Sequence, residues 1–263
     1  MKYHFLDQYR ETGSFIHKLD PRVKFLAMLV MVIAVVAVPR TEWLAYGLFL
    51  ILNVCLILLS RVPVAYVLKR SSVVIPFVLL VVVFLPFFKE GAEIGAVNIW
   101  NWHIGIKREG LLLAADIMCK AWLSIQSIIS LTATTGMGEL LKGLEKLKMP
   151  RIMIMLMSFM SRYVFVLSDE AEHLSQARNS RSFGGGIRLH VRTLGFMVGA
   201  LFIRSFERGE RVYGAMLARG FEGHSRFFDR LSLHFVDVVY LLIILVASAV
   251  IVLIPLLLRS ISG

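Results

Sequence analysis

Two short stretches hold an arginine between very small neighbours. GAMLARGFEG, residues 214 to 223, sets Arg219 between Ala218 and Gly220, and SRSFGGG, residues 180 to 186, sets Arg181 between Ser180 and Ser182. A guanidinium presents its donors in a rigid fork that matches a carboxylate or paired carbonyls. Without bulk on either side, such a residue at a helix tip can enter a groove on a partner and make that forked bond there. The plainer role is to complement the partial negative charge at a helix C-terminus, worth about 0.3 to 1 kcal/mol.

The other reactive residue types do not gather into a site. Asp116 and Lys120 stand one helical turn apart inside an apolar run, a spacing that suits either a mutually neutralised pair or a step in an ion path. His4, His17, His103, His173, His190, His224 and His234 show no ligand spacing, and Cys55 and Cys119 sit singly in apolar runs. A metal site needs converging ligands, so we expect no metal, no cofactor and no catalytic residue. GxxxxGK[ST] is missing, so the chain is not expected to bind ATP.

The elements that carry these residues belong to a membrane protein. The chain has 263 residues, is 57% hydrophobic and has a mean hydropathy of +0.74, more than a soluble domain of this length carries. The polar N-terminus is not expected to be a cleavable signal, so the spans are expected to remain. Apolar runs predict spans at about 23 to 39, 43 to 59, 72 to 88, 111 to 133 and 235 to 258. The first two are joined only by PRTE, which suits antiparallel helices rather than a barrel. With the N-terminus inside, 23 of the 29 lysines and arginines fall on the inner side, as the positive-inside rule requires. Asp20 before Pro21 fits a helix N-cap with proline in the first turn, and Arg22 and Lys24 would then meet anionic headgroups.

Three regions follow: a four-span bundle at 1 to 133, cytoplasmic helices at 134 to 232 and a last membrane helix at 233 to 263. GMGELLKGLEKLKMP, 136 to 150, places Leu140, Leu141, Leu144 and Leu147 on one face and stops at Pro150. Residues 151 to 183 predict one long helix, stopped by the triple glycine at 184 to 186, and about 190 to 220 predict another, ending at Gly220. Both arginines therefore fall at helix C-terminal ends.

SFIHKLDPRVK at 14 to 24, GELLKGLEKLKMP at 138 to 150, QARNSRSFGG at 176 to 185 and ERVYGAMLARGFEG at 210 to 223, in this order, resemble the T component (EcfT/CbiQ family) of energy-coupling factor ABC transporters. LDQYRETGSFIHKLDPR and ARGFEG look nearest to the cobalt-type CbiQ branch, whose sister branch serves nickel. The resemblance implies an all-α integral membrane protein, L-shaped, with about five transmembrane helices and a cytoplasmic coupling region. It implies a non-catalytic coupling subunit in a prokaryotic plasma (inner) membrane, for cobalt uptake toward cobalamin biosynthesis, with nickel or a vitamin as alternatives.

By the same resemblance, two X-Arg-X motifs dock in two cytoplasmic ABC ATPases (CbiO-like). They correspond to Ala218, Arg219 and Gly220, and to Ser180, Arg181 and Ser182. Ala177, Arg178 and Asn179 offer a second frame for the first motif; Phe183 after Arg181 parallels Phe221 after Arg219 and favours Arg181. The implied membrane partners are a substrate-binding S component (CbiM-like) and a small accessory subunit (CbiN-like). Met153, Met155, Met157 and Met160 read as a methionine-rich face, suited either to contacting the S component or to serving as a lipid-facing or bundle-core stripe. A membrane-embedded enzyme finds no cluster of groups to serve it, and the mixed charge of 134 to 232 argues against nucleic acid.

Overall fold

The computed structural model describes residues 13–40, 42–85, 93–99, 102–181, 186–221 and 233–262, without the side chains of 93–106 and 256–262. The protein is an all-α membrane protein to which one β-hairpin is added. After a 3₁₀ turn at Phe15–Lys18 come α1 (Pro21–Ala37), α2 (Trp43–Leu59), α3 (Val64–Ser72) and α4 (Ile75–Val82). The hairpin strands β1 (Glu93–Ile99) and β2 (Trp102–Lys107) follow, then α5 (Arg108–Thr134), α6 (Met137–Lys146), α7 (Arg151–Arg181), α8 (Ile187–Ala218) and α9 (Phe235–Ser262). The hairpin was not anticipated from the sequence; its strands pair antiparallel, with Ile99 opposite Trp102 and Val97 opposite Ile104.

Among the described residues, five stretches are by length and composition long and apolar enough to cross a membrane: Val64–Val82, Arg108–Thr134, Arg151–Arg181, Ile187–Ala218 and Phe235–Pro255. α1 and α2 have 17 residues each, about a turn short of a full hydrocarbon thickness. The third predicted span needs correction. It begins at Val64 rather than 72 and is broken at Val73 and Val74, where N–H groups reach back three residues to Arg70 and Ser71. Pro76 follows at the start of α4; lacking an N–H, it cannot continue the ladder of α3. Residues 86 to 88 of that prediction lie outside the described residues.

The described residues divide into two compact units, those within His4–Gly143 and Arg230–Gly263, and those within Leu144–Asp229. In the first, α5 packs against α1, α2, α3 and α4. Lipid offers apolar side chains as good a home as the interior does, so polar contacts and close packing hold such a bundle. Ser127 of α5 donates to Asn53 of α2 at 3.0 Å, and Trp122 donates to Ser71 of α3 at 3.2 Å. Asp116 and Lys120 form an ion pair at 3.3 Å; Tyr46 donates to Asp116, and Lys120 Nζ donates to the Val38 carbonyl at 2.9 Å. The pair thus joins α5 to the end of α1 and to α2, with both charges engaged inside the bundle.

α1 and α9 run parallel with a steady offset. The Asp20 N–H donates to Asp237, 217 residues further on, Ala27 clusters with Ile244, and Val35 shares a cluster with Ile251. Both helices therefore start on the same face of the bundle. There the predicted N-cap is present, Asp20 accepting from the Arg22 N–H at 2.9 Å. Asp237, buried, also accepts from the His234 N–H at 2.8 Å. Lys24 departs from expectation: it is only 4% exposed. Its ammonium does not extend to headgroups but donates to the carbonyls of His17 at 3.0 Å and Thr134 at 3.2 Å. Asp20, Lys24 and Asp237 form a clasp over the ends of α1, α5 and α9.

α6 rests on this clasp. Its buried residues are Leu141 and Gly143, so the leucine face foreseen in the sequence is only part of its packing surface. The helix stops at Lys146, before the expected Pro150, because the Met149 N–H returns to the Leu144 carbonyl at 3.3 Å, with Lys148 at φ 65°.

Candidate functional site

The second unit presents the two arginines on the long helices. α8 ends in a Schellman motif: the Phe221 N–H donates to Met216 O and the Gly220 N–H to Leu217 O, each at 3.0 Å. This closure needs a left-handed residue after the cap, and Gly220 supplies it at φ +78°. Arg219 is the C-cap residue itself. Its backbone is fixed while its side chain is exposed and makes no side-chain hydrogen bond or ion pair with a described residue. Ala218 beside it is exposed, and Phe221 turns back against the groove that contains Met216.

α7 ends at Arg181, also exposed. Ser180 donates to the Gln176 carbonyl at 3.0 Å, which folds its short side chain back along the helix. Ser182 and Phe183 lie outside the described residues. The rival frame looks different: Arg178 is half-buried and donates from Nε and a terminal nitrogen to Asn179 Oδ1, at 3.3 and 3.0 Å. Of the two arginines, Arg181 is the one whose guanidinium has no described partner.

α7 and α8 pair antiparallel. Glu170 forms an ion pair with Arg204. An apolar groove of about 330 Å³ runs between the first half of α7 (Met155, Phe159, Tyr163) and the second half of α8 (Val212, Tyr213, Met216). Because each arginine is at the C-terminal end of its helix, antiparallel pairing sends them to opposite ends of the hairpin. At 1.5 Å per residue from the Glu170–Arg204 contact, the tips stand roughly 30 to 40 Å apart. Neither the Glu170–Arg204 pair nor the groove was singled out in the sequence; opposite charges 34 residues apart carry no local signal.

The four methionines do not form one face. Met153, Met157 and Met160 follow helical i, i+4 and i+7 spacing and are exposed. Met155 lies two residues, or about 200°, away from Met153 around the helix and lines the groove instead. Alternate residues share a face in a strand, not in a helix. Among the described residues, no three His, Cys, Asp or Glu side chains are placed to hold a metal ion. His4 and His224, and the side chain of His103, lie outside the description.

The sequence matches the family model CbiQ, described as cobalt transport protein, over residues 12–228. It is 30% identical to the energy-coupling factor transporter transmembrane protein EcfT of Clostridium kluyveri, over 83% of this chain and 83% of that protein. Identity to EcfT of Bacillus subtilis is 25%, over 83% of this chain and 84% of the relative. An uncharacterized protein of Methanocaldococcus jannaschii is 25% identical over 95% of this chain and 86% of its own length.

Proposed function

The chain belongs to the CbiQ family, the T components of energy-coupling factor transporters, and we propose that it transmits ATPase motion to a substrate-binding membrane subunit for uptake of cobalt ion. The observation that carries the coupling reading is the geometry of the Arg219 tip. A self-satisfied backbone cap, small neighbours and an unengaged guanidinium make a probe that needs a partner's acceptor to be complete. Arg181, at the opposite end of the same hairpin, is the second probe.

Tips on the order of 30 Å or more apart suit two separate sockets better than one. Each enters one of two ATPase subunits (CbiO-like), where a carboxylate or carbonyl pair receives the guanidinium. When nucleotide draws the ATPases together, both ends of the α7–α8 hairpin are displaced, and the membrane partner (CbiM-like, with a CbiN-like accessory) is moved with it. The exposed Met153, Met157 and Met160 supply an adaptable surface for that partner; Met155 serves the hairpin's own groove. Hydrolysis is the partners' work. Residues 1–133 and 233–263 form the membrane bundle and 134–232 the coupling region, with the N-terminus cytoplasmic in a prokaryotic plasma membrane. The inner-side excess of lysine and arginine supports this orientation.

Cobalt is favoured by the description of the matching family. Co-expression with the ATPases tests the docking: Arg181→Ala and Arg219→Ala should each weaken copurification, and the double change should release the ATPases. A double mutant that assembles and hydrolyses ATP like the wild type overturns it. Radiolabelled cobalt uptake by the complete complex tests the substrate, with nickel in parallel; nickel uptake without cobalt uptake overturns the metal assignment.

A further inference from the structure

We propose that Gly143, seated on the start of α1, is the fixed anchor of the coupling apparatus: the point of α6 that stays on the bundle while α7 and α8 move. This rests on the coupling function above and adds a positioning residue to it.

The contact is unusually close. A Cβ built on Gly143 would lie 3.1 Å from Pro21 Cβ, 3.2 Å from the Arg22 nitrogen and 3.3 Å from the Pro21 carbonyl carbon. Two of these atoms are backbone, so no side-chain rotation relieves the crowding. The backbone they belong to is itself pinned. Pro21 fixes its own φ, Arg22 N–H is held by Asp20, and Asp20 N–H is held by Asp237 of α9. Lys24, one turn along α1, ties in the last turn of α5 through the Thr134 carbonyl, three residues before α6 begins. Glu139 of α6 lies within electrostatic reach of the same ammonium.

The location gives this contact its consequence. Gly143 is the last residue of the compact unit that contains the bundle, and Leu144 is the first of the unit that contains α7 and α8. Any displacement of the hairpin must be referred to some point that does not follow it. The clasp is buried and cross-tied among α1, α5 and α9, whereas α8 has no buried residue. On the coupling function proposed above, the ATPase motion enters at the tips, so the hairpin is the part that moves and Gly143 marks where that motion stops.

A matched pair of variants on α6 isolates the contact. Gly138→Ala and Gly143→Ala exchange glycine for alanine in the same helix, but a Cβ at Gly138 meets nothing within 4 Å. The measurement is hydrogen–deuterium exchange of the intact transporter complex in nanodiscs, nucleotide-free against the state trapped with ADP and vanadate. In the wild type, peptides covering 170–181 and 205–221 should change between the two states, and peptides covering 17–28 and 137–146 should not. Gly143→Ala should make exchange in 17–28 respond to nucleotide by about fivefold or more, while Gly138→Ala leaves it silent. Wild-type clasp peptides that respond as strongly as the tips, or two alanine variants that behave alike, overturn the anchor. Tips that do not respond in the wild type instead sink the docking reading. If Gly143→Ala does not accumulate, Lys24→Met cuts the Thr134 tie without steric conflict; it too should make 17–28 respond, and a silent result overturns the proposal.

Discussion

The start of α1 and the end of α8 are both charged, capped helix ends, and they use their polar groups in opposite ways. At the start of α1 the charges face inward and are spent. Asp20, Lys24 and Asp237 satisfy backbone groups of five different residues, and all three are buried. At the end of α8 the backbone satisfies itself through Gly220, and Arg219 is left exposed. Charge type says little about this difference; what separates structure from docking is whether the local backbone already has its partners.

The largest effect should come from the inward end. Asp237→Ala leaves the N–H groups of Asp20 and His234 without their acceptor, each worth about 1 to 3 kcal/mol. The midpoint of thermal unfolding in detergent should fall by roughly 5 to 15 °C. Arg219→Ala should leave that midpoint unchanged while lowering ATPase copurification about tenfold or more, as the loss of a charge-assisted bond predicts. A stability loss in Arg219→Ala, or its absence in Asp237→Ala, breaks the contrast.

Gly220→Ala sharpens it at a smaller scale. Alanine in the left-handed position costs about 1 kcal/mol. If the cap aims Arg219, this change should weaken docking with the arginine still present. Lys148→Gly is the smallest: at φ 65° glycine relieves backbone strain, and stability should rise by about 0.5 to 1 kcal/mol, with docking unaffected.

Both helix ends were legible in the sequence because their signals are local. Asp20 before Pro21 and Gly220 after the last helical residue announce a cap whatever lies around them. The α class and the two long helices followed from apolar runs and from the glycines at 184 to 186. Partners distant in the chain were not legible. Nothing near Lys24 says that it points at Thr134, and nothing near Asp237 names Asp20. Gly143 carries no sign that backbone passes 3.2 Å from where a Cβ would be. The start of the third span at Val64 is hidden in the sequence by Lys69 and Arg70, which interrupt the apolar run and move its apparent start to Ser72. Met155 was grouped with its neighbours by composition, where helical angle should have divided them.

The parallel register of α1 and α9 has a consequence for biosynthesis. The partners Asp20 and Asp237 are separated by 217 residues, so α1 enters the membrane long before the helix that completes its surface exists. Until α9 has been synthesised, the face of α1 at Ala27 and Met31 and the N–H of Asp20 lack the partners that cover them in the folded bundle. Pairing of α1 with α9 is thus a late, long-range step of folding that nothing local to α1 can drive.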